Sequence, residues 1–138
     1  MDWGPGLNLI LGPNGVGKTN LLESLNVLSG WGTFSGRVSS AVAWDSPDGR
    51  ALLAARTSGE RDVEVSVLLS SRMTLKVDGE RVSGSELRVR LPSLSFLPTD
   101  IDLIDGPSSV RRRFLDRLCA LCIPSYARRL SEYRQLVR

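Results

Sequence analysis

The chain has no histidine, only two cysteines and no apolar run approaching membrane-spanning length. Each shortage removes a class of protein. A bilayer crossing needs about 20 consecutive apolar residues, and the opening Met1-Asp2-Trp3-Gly4 lacks the basic and apolar regions of a secretion signal. No membrane partner is expected, and the expected location is cytoplasmic. Cys119 and Cys122 form a lone C-x-x-C; zinc would need two further ligands, and histidine is not available to supply them. Both cysteines read as core. They share a helical face with Phe114, Leu115 and Leu118, near the end of the expected helix, where the dipole raises a thiol pKa rather than lowering it. Internal repeats and low-complexity linkers are missing as well.

What remains is globular. The 138 residues are 41% hydrophobic and 24% charged, values that suit one ordinary domain with a real core. The net charge of +3 hides an asymmetry. From Pro107 onward eight arginines face only Asp116 and Glu132, so this tail is +6 and the rest of the chain −3. Such a concentration suits a phosphate backbone as well as a solvated helix face.

The organising stretch is Gly12-Pro13-Asn14-Gly15-Val16-Gly17-Lys18-Thr19, a complete G-x-x-x-x-G-K-[ST] phosphate-binding loop. It follows the apolar run Leu7-Asn8-Leu9-Ile10-Leu11, read as a buried strand. A helix is expected over Lys18 to Ser29, with Leu21, Leu22, Leu25 and Leu28 at helical spacing and Gly30 as its stop. In such a loop the backbone N–H groups and the helix dipole face phosphate oxygens. Lys18 would reach the β- and γ-phosphates, and the Thr19 hydroxyl would ligate Mg²⁺. A Gly-rich turn with an incidental lysine would not need a strand and a helix on either side.

Residues 30–40 read as a surface loop. Short strands then follow at Ala41 to Trp44, Ala51 to Arg56, Val63 to Val67 and Met73 to Val77, separated by Ser46-Pro47-Asp48-Gly49, Thr57-Ser58-Gly59-Glu60 and the hairpin signal Asp78-Gly79. This is an antiparallel meander with one wet face, packed beside the nucleotide site within one lobe. Ser93 to Leu97 reads as a further short strand. A helix is expected from Pro107 to about residue 122, with Val110, Phe114, Leu118 and Cys122 on one side, broken by Pro124; another starts near Ser125 and carries Tyr126, Leu130, Tyr133 and Val137. Three consecutive arginines, Arg111, Arg112 and Arg113, cannot share one helical face, so at least one is expected to brace the helical arm against the nucleotide lobe while others face solvent or DNA.

The loop and its continuation Asn20-Leu21-Leu22-Glu23-Ser24-Leu25 resemble the extended phosphate loop of the RecF DNA replication and repair proteins, relatives of the ABC-type SMC and Rad50 ATPases. A second stretch narrows the resemblance. Phe96-Leu97-Pro98-Thr99-Asp100-Ile101-Asp102-Leu103-Ile104-Asp105-Gly106-Pro107, continuing through Arg111-Arg112-Arg113-Phe114-Leu115-Asp116, is similar to the RecF F-x-P-E-D-L segment with its following glycine, proline, paired arginines and F-L-D. Pro124-x-Tyr126, Leu130 and Tyr133 continue it. Thr99 stands where the family usually has glutamate. The family's preceding strand is missing, as are its signature motif and Walker B acidic pair, so the chain looks like the N-terminal third of a longer protein.

The resemblance implies an α/β P-loop NTPase, an ABC-type ATPase lobe with an antiparallel β subdomain over residues 1–97 and the start of a helical arm over 98–138. It implies ATP and Mg²⁺ as cofactors, held by Gly12, Pro13, Asn14, Gly15, Val16, Gly17, Lys18, Thr19 and Asn20. It further implies an ATP-dependent homodimer of the intact protein, acting as a clamp on single-stranded or gapped duplex DNA, and the RecO and RecR mediators as partners. Arg111, Arg112 and Arg113 are the candidate DNA contacts. With no catalytic carboxylate in sight, no catalytic residue is assigned; weak ATP binding and negligible hydrolysis are expected of this chain alone. Two alternatives stay open: a small P-loop phosphotransferase, and a nucleotide-independent DNA-binding fragment with a relic loop.

Overall fold

Alternating apolar residues in three successive segments build the sheet. A computed structural model describes residues 1–58, 62–123 and 125–137. Strands β1 (Ala51–Thr57), β2 (Val63–Leu69), β3 (Met73–Val77) and β4 (Glu80–Arg81) form one antiparallel sheet in sequence order. Its register lines up Ala51, Leu69 and Met73, then Leu53, Val67 and Leu75, then Ala55, Val65 and Val77, in three rows across one face. Val65, Val67, Leu69, Leu75 and Val77 are buried there. Each such side chain contributes about 1.5–3 kcal/mol by leaving water. The opposite face carries Arg56, Glu64 and Lys76 and is wet, as expected of an antiparallel meander. The Asp78-Gly79 hairpin also forms as expected, with φ of 50° and 84°.

Helices cover the buried face. Helix α1 (Lys18–Leu28) lays Val27 and Leu28 on it, and α2 (Gly84–Arg90) adds Leu87. Helix α2 was not foreseen, although Ser83-Gly84-Ser85-Glu86 is a legible capping box: the Ser83 hydroxyl accepts the Glu86 N–H, and the Glu86 carboxylate accepts the Ser83 N–H at 2.7 Å. The Ser83 N–H and then the Ser83 hydroxyl, both donating to the Glu86 carboxylate, hold its pKa below the ordinary value.

The end of α1 is tied by several hydrogen bonds. Gly30 N–H donates to the Val27 carbonyl and Trp31 N–H to the Asn26 carbonyl, a Schellman closure that needs the Gly30 φ of 82°. Asn26 and Ser29 are only 6% and 4% exposed. Asn26 donates to the Gly32 carbonyl at 2.7 Å and accepts from Ser95 Oγ at 2.9 Å, and the Ser29 and Ser93 hydroxyls bond each other.

Several expected elements do not form. Leu7 to Leu11 is not a strand, and Leu7, Leu9 and Leu11 are 95%, 74% and 80% exposed. Residues 93–97 are likewise not strand; Ser93 and Ser95 spend their polar groups on α1 instead of a ladder. A strand needs a neighbour to satisfy its backbone, and all four strands among the described residues belong to the meander. In place of a strand from Ala41 to Trp44, a 3₁₀ turn spans Val38–Ala41 and runs into irregular chain. The turn expected at 57–60 and the helix break expected at Pro124 include Gly59, Glu60 and Pro124, which lie outside the described residues.

Beyond Leu97 the chain is helical. A 3₁₀ turn (Pro98–Ile101) leads through α3 (Asp102–Asp105) to α4 (Ser108–Cys122) and α5 (Tyr126–Leu136). Pro107 caps α4 from just outside it. Val110, Phe114 and Leu118 are half-buried, while Cys119 is half-buried and Cys122 exposed, so the C-x-x-C is only partly core. Asp116 joins the two helices by accepting from Tyr126 Oη at 2.7 Å and Arg134 Nη2 at 3.0 Å.

Two outcomes follow. A Cβ at Gly30 would sit 2.8 Å from the Gly84 carbonyl oxygen, whereas one at Gly36, with φ of 74°, would meet nothing within 4 Å. Gly36→Ala should therefore cost only the backbone penalty, about 1–2 kcal/mol, and Gly30→Ala distinctly more; equal losses in urea unfolding would contradict this account. The hydrogen bond to the Asp116 carboxylate raises the Tyr126 pKa above its ordinary 10.0. The stability linked to that shift is fully present below pH 10.0 and is lost as pH rises through the raised value. Tyr126→Phe should flatten this alkaline part of the stability profile, and an unchanged profile would refute the link.

Candidate phosphate-binding loop

Glycine geometry turns the chain from Gly12 into α1. Gly15 and Gly17 have φ of 83° and 94°, values that side chains oppose, and Gly17 serves as the α1 N-cap. The first helical backbone bond runs from Leu21 N–H to the Gly17 carbonyl at 2.9 Å. The N–H groups of Lys18, Thr19 and Asn20 therefore precede the i→i−4 ladder. No side chain caps them, and the first turn holds no acidic residue. Such an end carries the positive pole of the helix and favours an anion.

Lys18 adds a full charge. Its Nζ donates to the Gly12 carbonyl at 2.8 Å and the Pro13 carbonyl at 2.7 Å, so the ammonium lies across the loop rather than away from it. Gly12, Pro13, Asn14, Gly15, Val16, Thr19 and Asn20 are exposed, and Gly17 and Lys18 half-buried. These nine residues thus form a largely exposed turn and helix start with amide and ammonium donors. The Thr19 hydroxyl sits in the first helical turn, where a phosphate-bound divalent cation would meet it. The residues fit a phosphate with its metal, although the strand expected before them does not form.

The three tail arginines are placed otherwise. Arg111 Nη1 donates to the Gly106 carbonyl at 2.8 Å, bracing the turn before its own helix rather than the loop. Arg112 and Arg113 are exposed. A contact between α4 and the chain just after α1 comes from Arg117, whose guanidinium lies 5.6 Å from the centroid of Trp31; Arg88 lies 4.6 Å from the same ring. Trp31 Nε1 donates to the Ser93 carbonyl at 3.0 Å, and Arg88 Nη1 donates to the Gly30 carbonyl at 2.6 Å. Burial lowers the Arg88 pKa. Sequence reading missed this cluster because its members come from three separate segments with no shared local pattern. Among the described residues no group of three or more His, Cys, Asp or Glu side chains is placed to hold a metal, and no helix is long and apolar enough to cross a membrane.

No family model matches the chain. Curated relatives do. The chain is 34% identical over 140 residues to the DNA replication and repair protein RecF of Heliobacterium modesticaldum, covering 99% of this chain and 38% of the relative. The RecF protein of Symbiobacterium thermophilum is 36% identical over 152 residues, covering 99% of this chain and 37% of the relative. That of Leifsonia xyli subsp. xyli is 36% identical over 137 residues, covering 96% and 35% respectively. Over nearly its whole length the chain is thus similar to RecF DNA replication and repair proteins, of whose length it spans a little over a third.

Proposed function

We propose that the chain is the nucleotide-gripping part of a DNA replication and repair ATPase of ABC type. The observation that carries this reading is the loop geometry: two glycines at positive φ deliver the chain into an uncapped helix start, with the Lys18 ammonium lying across the turn. Gly12 to Asn20 would hold the phosphates of ATP, with Thr19 on Mg²⁺. The metal would neutralise phosphate charge. Lys18 would leave the Gly12 and Pro13 carbonyls for phosphate oxygens, exchanging neutral acceptors for charged ones and so gaining strength.

In this reading residues 1–97 are the ATPase lobe, a P-loop NTPase with its β-meander, and residues 98–138 begin a helical arm. The intact protein would dimerise on ATP and clamp single-stranded or gapped duplex DNA, with the RecO and RecR mediators as partners. The similarity to RecF supports this role, and the exposure of Arg112 and Arg113, two of the three candidate arginines, supports contact with DNA phosphates. A phosphotransferase is disfavoured by the antiparallel meander that forms the next sheet after α1 in the chain.

Calorimetric titration of the 138-residue chain with ATP and Mg²⁺ tests the grip. Weak binding without steady hydrolysis is expected, and Lys18→Ala should weaken it about 10- to 100-fold, the loss of a charge-assisted bond. Equal affinity in the variant would overturn the assignment, and steady turnover abolished by Lys18→Ala would overturn the absence of hydrolysis.

A further inference from the structure

The hydrophobic core and the side chains packed against it end at Leu91 in the chain. Among the described residues neither α4 nor α5 buries a side chain completely, and α4 packs chiefly on α3 and α5. Apolar burial therefore does little to hold this helix pair against the sheet and α1. The covalent link is a 3₁₀ turn and the four-residue α3, too short to fix the angle of the 15-residue α4. A cavity of about 570 Å³ opens between α2 and α5, bordered by Ser85 and Val89 on one side and Ala127 and Arg128 on the other. Helix α5 thus lies beside α2 without filling the space between them.

Side chains from both parts meet at Trp31. Its ring is set from one part: Nε1 donates to the Ser93 carbonyl at 3.0 Å, and the Arg88 guanidinium, 4.6 Å from the ring centroid, is itself tied to the Gly30 carbonyl at 2.6 Å. From the other part Arg117 of α4 reaches the same ring at 5.6 Å. Arg88 and Trp31 are half-buried, whereas Arg117 is exposed, and among the described residues no carboxylate lies within ion-pair distance of it. The neighbouring Asp116 is taken up by Tyr126 and Arg134. An exposed cation on an indole face shifts an equilibrium about two- to fivefold, enough to favour one arrangement and too little to lock it.

We propose that Arg117 and Trp31 form a releasable latch between two arrangements of the α4–α5 pair, one closed on the α2 side and one swung open. Arg88 and the Ser93 carbonyl keep the ring in place in both, so Arg117 is the member that lets go. Release widens the gap between α2 and α5, and the direction in which the arginines of both helices face is set by this one contact. Arg117 is thus a positioning residue that acts through the ring and touches no ligand. The latch stands whether or not the loop at Lys18 holds phosphate.

The test measures distances in the 138-residue chain by pulsed electron spin resonance. Cys119 and Cys122 are replaced by serine, and spin labels are placed at Ser71→Cys, in the turn between β2 and β3, and Gln135→Cys, on the exposed part of α5. Two separations are expected in this labelled parent. Arg117→Ala should move population from the closed to the open separation about two- to fivefold, with helix content by circular dichroism unchanged. Arg117→Met, which keeps the apolar stem and removes the charge, should do the same, and Arg117→Lys should restore part of the closed population. With the cysteines intact, the fluorescence of Trp31, isolated by Trp3→Phe and Trp44→Phe, should become more open to acrylamide quenching in Arg117→Ala. A single separation in the parent, or a distribution and a quenching that Arg117→Ala leaves unchanged, overturns the latch. So does Arg117→Met behaving as the parent, because the stem and not the charge then makes the contact. Loss of helix content in step with the distance change makes Arg117 an ordinary structural contact and overturns it as well.

Discussion

The closure of α1 at Gly30 is the constraint on which the rest depends. Only a residue free to adopt a φ of 82° with no Cβ can end the helix there while α2 approaches so near. With that turn made, Asn26, Ser29 and Trp31 face segments far along the chain and bond to Ser95, Ser93 and the Ser93 carbonyl. The buried face of the meander supplies the apolar support through Val27, Leu28 and Leu87. Polar ties and apolar packing thus hold the same end of the same helix.

That arrangement leaves the other end of α1 available for chemistry. The loop at Gly12 to Lys18 is shaped by its own glycines and by Lys18 curling onto two carbonyls. It borrows rigidity from a helix fixed some 15 Å away, by the ordinary helical rise. The link to the arm leaves from the fixed end: Trp31 sits beneath both Arg88 and Arg117, the latter on α4. One helix therefore lies between the Gly12 to Lys18 turn and the arginine-bearing α4. In the proposed function this is the route by which nucleotide and DNA are held by a single framework.

Features set by neighbouring residues were legible in the chain. The helix after the G-x-x-x-x-G-K-T loop, the Asp78-Gly79 hairpin and the alternating Val63-Glu64-Val65-Ser66-Val67 each carry their own geometry, and each takes the expected form, while the strand expected before the loop does not. Leu7 to Leu11 and Ser93 to Leu97 have strand-like patterns too, yet neither is a strand, because pairing is decided by a partner and not by the segment. The Ser83 to Glu86 capping box is a local pattern as well, and it starts α2. Arg117 and Trp31 left no local trace, since their meeting depends on how α4 returns to α1.

The central claim is that a helix fixed at its C-terminal turn presents an open N-terminal turn to the phosphates of a nucleotide. Amide hydrogen exchange of the 138-residue chain, measured with and without ATP and Mg²⁺, tests it most directly. Asn26 to Ser29 should be protected in both conditions, while Gly15 to Asn20 should exchange freely alone and gain protection with nucleotide. Protection by nucleotide that spares Gly15 to Asn20, or rapid exchange at Asn26 to Ser29, would contradict the account.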